Sequence, residues 1–417
     1  MMFLYRIITF LVYCVLYPVG RMKATRGRGN ELWRGRLGLI SPLGPRDVWM
    51  HAASVGEVKV LGYLIDYLKK QDETLTIHVT VMTRAGFKTA TDQLGDKGDN
   101  VTLSYFPLDA LPAIRRSLDL INPALLVIAE TEIWPNLISQ AAQRNIPIVL
   151  VNGRMSEKAF RMYRYVRSFT KKLLALYDRF FFKTEGDFER YRHFGVTPGN
   201  SVVVGDMKFD APLLPRSEGR RSEMRARAGV ASDHFLLVAG STRPGEEAIL
   251  AKVFHAVHAK HKNFRMIIAP RHVERVGEVK ALLEEKGLPY AVYGHTSTSD
   301  NIILVDRMGF LNELYMAADL AFVGGTLVET GGHNILEPVW AGTPVIFGPY
   351  LSNVSEAADY ILANSYGAKV ASESDLAGLL QQVIVGELSF AVKTENDLRN
   401  SPTAMAGDYI LKRLKGA

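Results

Sequence analysis

The chain has 417 residues and a single cysteine, Cys14. An intrachain disulfide and a cysteine-ligated zinc cluster are therefore excluded, and the composition suits a reducing compartment. No G-x-x-x-x-G-K-[ST] stretch occurs, and no G-x-G-x-x-G follows the first strand-like segment of either half. A nucleoside triphosphatase and a dinucleotide-dependent dehydrogenase are thus poorly supported. His51, His272 and His333 fall outside H-E-x-x-H or any other metal-ligand spacing, so each reads as a hydrogen-bonding histidine and no metal site is expected. Internal repeats, low-complexity tracts and heptads are also missing, which argues against a solenoid or coiled coil.

What is present is a globular composition, 47% hydrophobic and 22% charged, at a length that calls for two domains. The formal charge of +7 favours an anionic partner: a nucleotide, a nucleic acid, a phospholipid surface or a phosphorylated substrate. The first twenty residues, MMFLYRIITFLVYCVLYPVG, are apolar apart from Arg6. They reach spanning length only if Arg6 snorkels. No small-x-small cleavage site follows, so a retained anchor or interfacial helix is expected rather than a removed signal peptide. The next stretch holds Arg21, Lys23, Arg26, Arg28, Arg34 and Arg36 against Glu31. Such a cluster keeps the following domains on the cytoplasmic side and attracts anionic headgroups.

From Asp47 onward, near-continuous apolar runs of strand length alternate with amphipathic helical stretches, the pattern of a parallel sheet covered on both faces. The alternation breaks at the proline- and charge-rich DAPLLPRSEGRRSEMRARAG, the composition of a linker followed by an exposed helix, and resumes at HFLLVAG. We expect an α/β protein with a hydrophobic anchor over 1–20, a Rossmann-like domain over 21–210, a linker over 211–225, a second Rossmann-like domain over 226–390 and a final segment over 391–417. Ligands of such sheets bind beyond the carboxyl ends of the strands, so two facing domains imply a cleft with a site on each wall.

Strand-to-helix junctions supply the chemistry. In HAASVGE, Ser54 can cap a helix, Gly56 permits close approach and Glu57 stands in the first turn. The helix start favours its ionised form and burial opposes it; a glutamate there is also simply a good helix starter. IAETEIWP offers Glu130 and Glu132, read either as acid/base groups or as a cap beside a surface charge. In the second half, VAGSTRPGEE brings Ser241, Thr242 and Arg243 to a junction, and IIAPRH brings Pro270 and Arg271. Met308-Gly309 make a third, and GGTLVETGGHNILEP a fourth. There the paired glycines carry the chain into a helix beginning near Asn334. Its positive end suits a phosphate and Glu337 suits vicinal ribose hydroxyls. The run RMSEKAFRMYRYVRSFTKKLLALYDRF interleaves basic and aromatic residues, as a lipid or polysaccharide surface, an RNA face or a solvated helix would.

Taken together, HAASVGE, AETEIWPNLI, VNGRMS, GDMKFD, APRHVER and FVGGTLVETGGHNILEP resemble the 3-deoxy-D-manno-octulosonic acid (Kdo) transferases of glycosyltransferase family 30, in the same order and spacing from the anchor to about residue 350. The resemblance implies a GT-B fold of two Rossmann-like domains facing a cleft, with a last helix crossing back to the first. It implies an inverting transfer of Kdo from CMP-Kdo to a lipid A precursor, lipid IVA, in lipopolysaccharide synthesis. The setting it implies is the cytoplasmic face of a bacterial inner membrane, with an anionic membrane surface as partner, no nucleic acid and no cofactor. The family's general base maps onto Glu57. Its CMP contacts map onto Pro270-Arg271, Met308-Gly309-Phe310 and Asn334-Ile335-Leu336-Glu337, with Phe310 standing where Gly, Glu or Ile is usual. Ser54, Gly56, Glu130, Lys208, Ser241 and Thr242 are further candidates. A sugar-nucleotide epimerase on the same scaffold and a non-catalytic, membrane-attached glycolipid-binding protein are the alternatives.

Overall fold

The computed structural model describes residues 1–25, 30–95, 98, 100–215, 217–295 and 300–416; Arg26 and Arg28 of the basic cluster and Arg216 of the expected linker lie outside the described residues. The chain divides into unit 1, residues 1–211 with 398–417, and unit 2, residues 212–397.

Unit 1 is built on seven parallel strands: β1 (Arg46–Ala52), β2 (Ile77–Val81), β3 (Val101–Tyr105), β4 (Pro123–Ala129), β5 (Ile148–Gly153), β6 (Arg179–Phe182) and β7 (Ser201–Val203), in the order β3-β2-β1-β4-β5-β6-β7. Strand side chains alternate between two cores. Val48, Met50, Val79 and Val127 face the helix Val55–Gln71, while Trp49, Leu126, Ile128 and Phe180 face Leu118, Leu137 and Tyr191. Both faces are covered, which is why the strands read as unbroken apolar runs. Sheet order reverses between β1 and β4, so the ends of those two strands flank the switch point.

The last helix, Pro402–Lys415, is part of unit 1. Ala406 and Ile410 enter its core, and a Cβ on Gly407 would stand 2.4 Å from the Tyr67 ring. Thr403 N donates to Asp210 Oδ2 at 2.8 Å. At the other terminus, one helix runs from Met2 to Thr25 with Pro18 inside it, five residues beyond the expected anchor. It is long and apolar enough to cross a membrane.

Unit 2 repeats the plan with β8 (Phe235–Thr242), β9 (Phe264–Pro270), β10 (Tyr290–Val292), β11 (Ile302–Leu304), β12 (Leu320–Val323), β13 (Val345–Phe347) and β14 (Gly367–Lys369), all parallel, in the order β10-β11-β9-β8-β12-β13-β14. Its switch point lies between β8 and β12. The edge strands β10 and β14 were not expected: each has three residues, and Gly367-Ala368-Lys369 has no apolar signature of its own.

The structure shortens the expected linker over 211–225 and shows the helix that follows it to be anchored rather than wholly exposed. Unit 2 begins at Pro212, and Glu218–Arg227 is a packed helix with Met224 and Arg225 buried. Arg225 is the reason: its guanidinium donates to the carbonyls of Ala317, Ala231 and His234 and pairs with Asp319 at 3.2 Å. Arg225→Ala leaves those acceptors without their donor and should destabilise unit 2 by about 2–3 kcal/mol in urea denaturation. An unchanged midpoint would return the helix to the status of a linker.

Candidate active site

In unit 1, the chain leaves β1 through Ala53 and Ser54 and enters the helix Val55–Gln71 at once. Ser54 Oγ accepts from Glu57 N at 3.3 Å, and the Glu57 carboxylate reaches back to Ala53 N at 2.6 Å and to Ser54 Oγ at 2.9 Å. This reciprocal arrangement is a capping-box geometry shifted by one donor. Glu57 is only 6% exposed. Burial drives its pKa up to about 7; the two hydrogen bonds pull it down, and the charges of Glu130 and Glu132 add to the rise. Burial therefore outweighs the two hydrogen bonds without any substrate. A carboxyl that titrates near neutrality suits a general base.

The other strand ends bring partners. Glu130 follows β4 with φ +56° and pairs with Lys208 Nζ at 3.2 Å and Arg154 Nη1 at 3.8 Å. Lys208 follows β7, held by Asp206 Oδ1, which accepts from its backbone N–H at 3.0 Å. Its Nζ lies 3.8 Å from where a Cβ on Gly56 would be, an ordinary contact distance that places the ammonium beside the start of the Glu57 helix. Glu132 stands 3.9 Å from His51 Nε2, and burial depresses the pKa of that imidazole, which favours its neutral form. Ser54, Gly56, Glu57, Glu130 and Lys208 are thus gathered at one switch point. Arg154 joins them unannounced by the sequence reading, although its place directly after a strand end was the available signal. A separate cavity of about 870 Å³ opens beside the edge strand β3, lined by Arg34, His78, Arg84 and Phe87; it shares none of these residues.

In unit 2, the first glycine pair is met by the protein's own groups, and Gly331 and Gly332, both at positive φ, precede the helix Leu336–Trp340. Gly324 approaches β8 so closely that a Cβ would stand 2.3 Å from the Ser241 carbonyl oxygen. Gly325, with φ +74°, then turns its N–H inward with those of Thr326 and Leu327, and all three donate to the Glu246 carboxylate at 2.8–3.1 Å. These amides are filled from within the protein. Thr242 is likewise committed: fully buried, it donates to Glu247 Oε1 at 2.8 Å, and Glu247 holds Arg275 at 2.9 Å.

Beside this packed floor lies a cationic cluster. Arg243 Nε donates to His333 Nε2 and its Nη1 meets His272 Nε2, both at 2.9 Å. Arg271, whose N–H donates to Thr242 O at 3.1 Å, is exposed at the end of β9. Burial and the charges of Arg243 and Arg271 lower the His333 pKa. Burial raises that of Glu337, while a hydrogen bond from Asn334 Nδ2 at 3.2 Å and the charge of Arg271 lower it. The expected helix near Asn334 is only Leu336–Trp340, and Asn334 Oδ1 accepts from Leu336 N at 3.2 Å, so its start is partly capped by a side chain. Ile335 and Leu336 are buried, so Asn334 and Glu337 are the accessible members of this stretch. Ser241 (φ +55°) and Pro270 join this group, and Met308 is 63% exposed on the loop after β11. Gly309 has φ +100° and Phe310 packs on Tyr293. The helix Leu311–Ala317 places Leu311 and Tyr315 against Gly240. Among the described residues no group of three His, Cys, Asp or Glu is arranged to hold a metal ion.

A family model for 3-deoxy-D-manno-octulosonic-acid transferase (kdotransferase) matches residues 31–211. The chain is 36% identical over 341 residues to a bifunctional glycosyltransferase/methyltransferase of Fusobacterium nucleatum, across 81% of this chain and 52% of that protein; it spans about half of that relative's length. It is 32% identical over 367 residues to the 3-deoxy-D-manno-octulosonic acid transferase of Chlamydophila psittaci, across 86% and 83% of the two chains. The solved UDP-GlcNAc 2-epimerase of Neisseria meningitidis, bound to UDP-GlcNAc, matches with a TM-score of 0.53 at 14% identity over 89% of this chain and all of that one. That likeness is one of fold.

Two doubly wound parallel units, each with polar groups collected at its switch point, make this an α/β protein of the GT-B class. The chain belongs to the 3-deoxy-D-manno-octulosonic acid transferase family and is a glycosyltransferase.

The carboxylate nest in unit 2 has a direct test. Glu246→Gln turns one acceptor oxygen into a donor facing N–H groups, and should cost about 2–3 kcal/mol of stability by chemical denaturation. Wild-type stability would mean that the glycine turn does not depend on that carboxylate.

Proposed function

We propose that the protein transfers Kdo from CMP-Kdo to a hydroxyl of a lipid A precursor, with inversion at the anomeric carbon and with Glu57 as general base. The observation that carries this reading is the Glu57 carboxyl itself, poised to titrate at about 7 at the end of β1. Glu57 takes the proton of the acceptor hydroxyl as that oxygen bonds to the anomeric carbon; the bond from that carbon to the phosphate oxygen breaks, and CMP leaves with the electron pair. Lys208 and Arg154, which hold Glu130, supply positive charge for a phosphorylated or carboxylate-bearing acceptor. In unit 2, Arg271 and the backbone of Asn334–Glu337 hold the nucleotide, with Arg243, His272 and His333 adding positive character where the leaving phosphate and the sugar carboxylate need it. Glu337 is reserved for ribose hydroxyls. No cofactor is assigned. The apolar N-terminal helix attaches the enzyme to the bacterial inner membrane with its units in the cytoplasm.

The reading is tested with purified protein, CMP-Kdo and tetraacylated lipid A precursor, the products being resolved by mass spectrometry. Kdo-bearing products are expected; none with this donor and acceptor would reject the proposal. Glu57→Gln should lower turnover by about 10²–10⁴-fold while CMP binding by calorimetry is unchanged. Near-wild-type turnover would remove Glu57 from the chemistry.

The pH dependence has a definite sign. Because the folded pKa lies above the ordinary 4.5, the base form is lost as pH falls through about 7. The value of kcat/KM should therefore drop about tenfold per unit below that point. A profile flat from pH 5 to 8 would contradict the assignment.

A further inference from the structure

Three segments that leave strand ends of unit 2 meet at one guanidinium. Arg243 directly follows β8, His272 stands just past β9, and His333 lies on the loop that leaves β12. Each is pinned through its backbone. Arg243 N donates to Glu246 Oε2 at 2.9 Å, and that carboxylate also collects the amides of 325–327. His272 stands between Arg271, whose N–H is bonded to Thr242 O, and the turn Val273–Arg275, whose last residue is paired with Glu247. His333 N donates to Gly324 O at 3.2 Å. The His333 ring has room because Gly325 lacks a side chain: a Cβ there would stand 3.2 Å from His333 Cδ2.

The contacts at the guanidinium fix the tautomers of both imidazoles. A guanidinium offers N–H donors and no acceptor. Arg243 Nε reaches His333 Nε2 and its Nη1 reaches His272 Nε2, both at 2.9 Å, so Nε2 is the accepting nitrogen in each ring. The ring proton then sits on Nδ1, on the side of the imidazole away from Arg243. A ring protonated on both nitrogens would set donor against donor and lose the bond. Burial and the charges of Arg243 and Arg271 lower the pKa of His333, in keeping with a neutral ring. Neither Nδ1 is engaged by another of the described residues.

We propose that Arg243 is a positioning residue of the nucleotide site. It clamps His272 and His333 as neutral Nδ1–H tautomers, and the two ring N–H groups together with the unused N–H groups of the guanidinium form a seat made only of hydrogen-bond donors, suited to a ligand phosphate. The inference deepens the reading of CMP-Kdo as the sugar donor and rests on it. Such a seat differs from a pair of imidazolium ions. Its full charge is carried by arginine, which keeps its proton throughout. The rings are polarised by that charge and so donate more strongly while remaining neutral. Lysine cannot replace the clamp, because an ammonium is a point charge without the planar fork that meets both rings at once.

The test begins with the full wild-type chain, free of ligand, labelled with nitrogen-15 at histidine and held at mildly alkaline pH. Ring signals are assigned with His272→Gln and His333→Gln. Both rings should appear as neutral Nδ1–H tautomers with Nε2 accepting a hydrogen bond. Either ring found as the Nε2–H tautomer, or protonated on both nitrogens, would overturn the clamp. In Arg243→Lys at least one ring should change tautomer, and CMP binding by calorimetry should weaken about 10- to 100-fold. Unchanged rings in that variant, or altered rings with wild-type CMP affinity, would remove Arg243 from the role. The donor reading fails separately: both rings as Nδ1–H in a wild-type protein that binds no CMP would reject CMP-Kdo as donor while upholding the clamp.

Discussion

The Glu57 carboxyl sits where two opposing forces meet and burial prevails. Burial at the end of β1 resists its charge, and the backbone of Ala53 with the hydroxyl of Ser54 supports it. A surface glutamate in the same helical turn would be a plain cap, fully ionised and a weak base. Its place at the switch point makes the difference: β4 delivers Glu130 and Glu132 beside it, and their like charge adds to the desolvation. A parallel sheet covered on both faces leaves its strand ends as the natural place for such groups, so the architecture and the basicity have one origin.

Unit 2 solves a related problem with opposite charge. Its switch point is floored by buried carboxylates, Glu246 on the backbone amides of 325–327 and Glu247 on Thr242 and Arg275. That floor fixes the loop leading to His333 and Asn334, and it leaves Arg243, Arg271, His272 and His333 as the outward layer. A rigid anionic base beneath a cationic rim suits the binding of a phosphate-bearing donor, because the rim is positioned before any ligand arrives.

Much of this was legible in the sequence, for definable reasons. Unbroken apolar runs such as ALLVIAE and FRMIIAP announce parallel strands, and the junction residues Ser54, Glu57, Glu130 and Arg271 follow because strand ends are where such sheets place polar groups. The edge strands Tyr290–Val292 and Gly367–Lys369 were hidden, since three residues are too few to show a period. What meets the first glycine pair was hidden for a different reason. Glycine reports that something comes close to the main chain, and only the fold tells that the visitor is Glu246, nearly eighty residues earlier in sequence. The charge-rich stretch reads as a linker and an exposed helix, and only the fold shows that Arg225 of that helix is buried against Ala317 and Asp319.

The central claim is that burial wins over capping at Glu57 in the free enzyme. It is tested most directly by following the side-chain carboxyl resonance of Glu57 by carbon-13 NMR across neutral and acidic pH, assigned with the Glu57→Gln variant. A midpoint near 7 is predicted. A midpoint in the ordinary glutamate range, about 4–4.5, would show that the helix start and its hydrogen bonds dominate, and the poised base on which the mechanism rests would not exist.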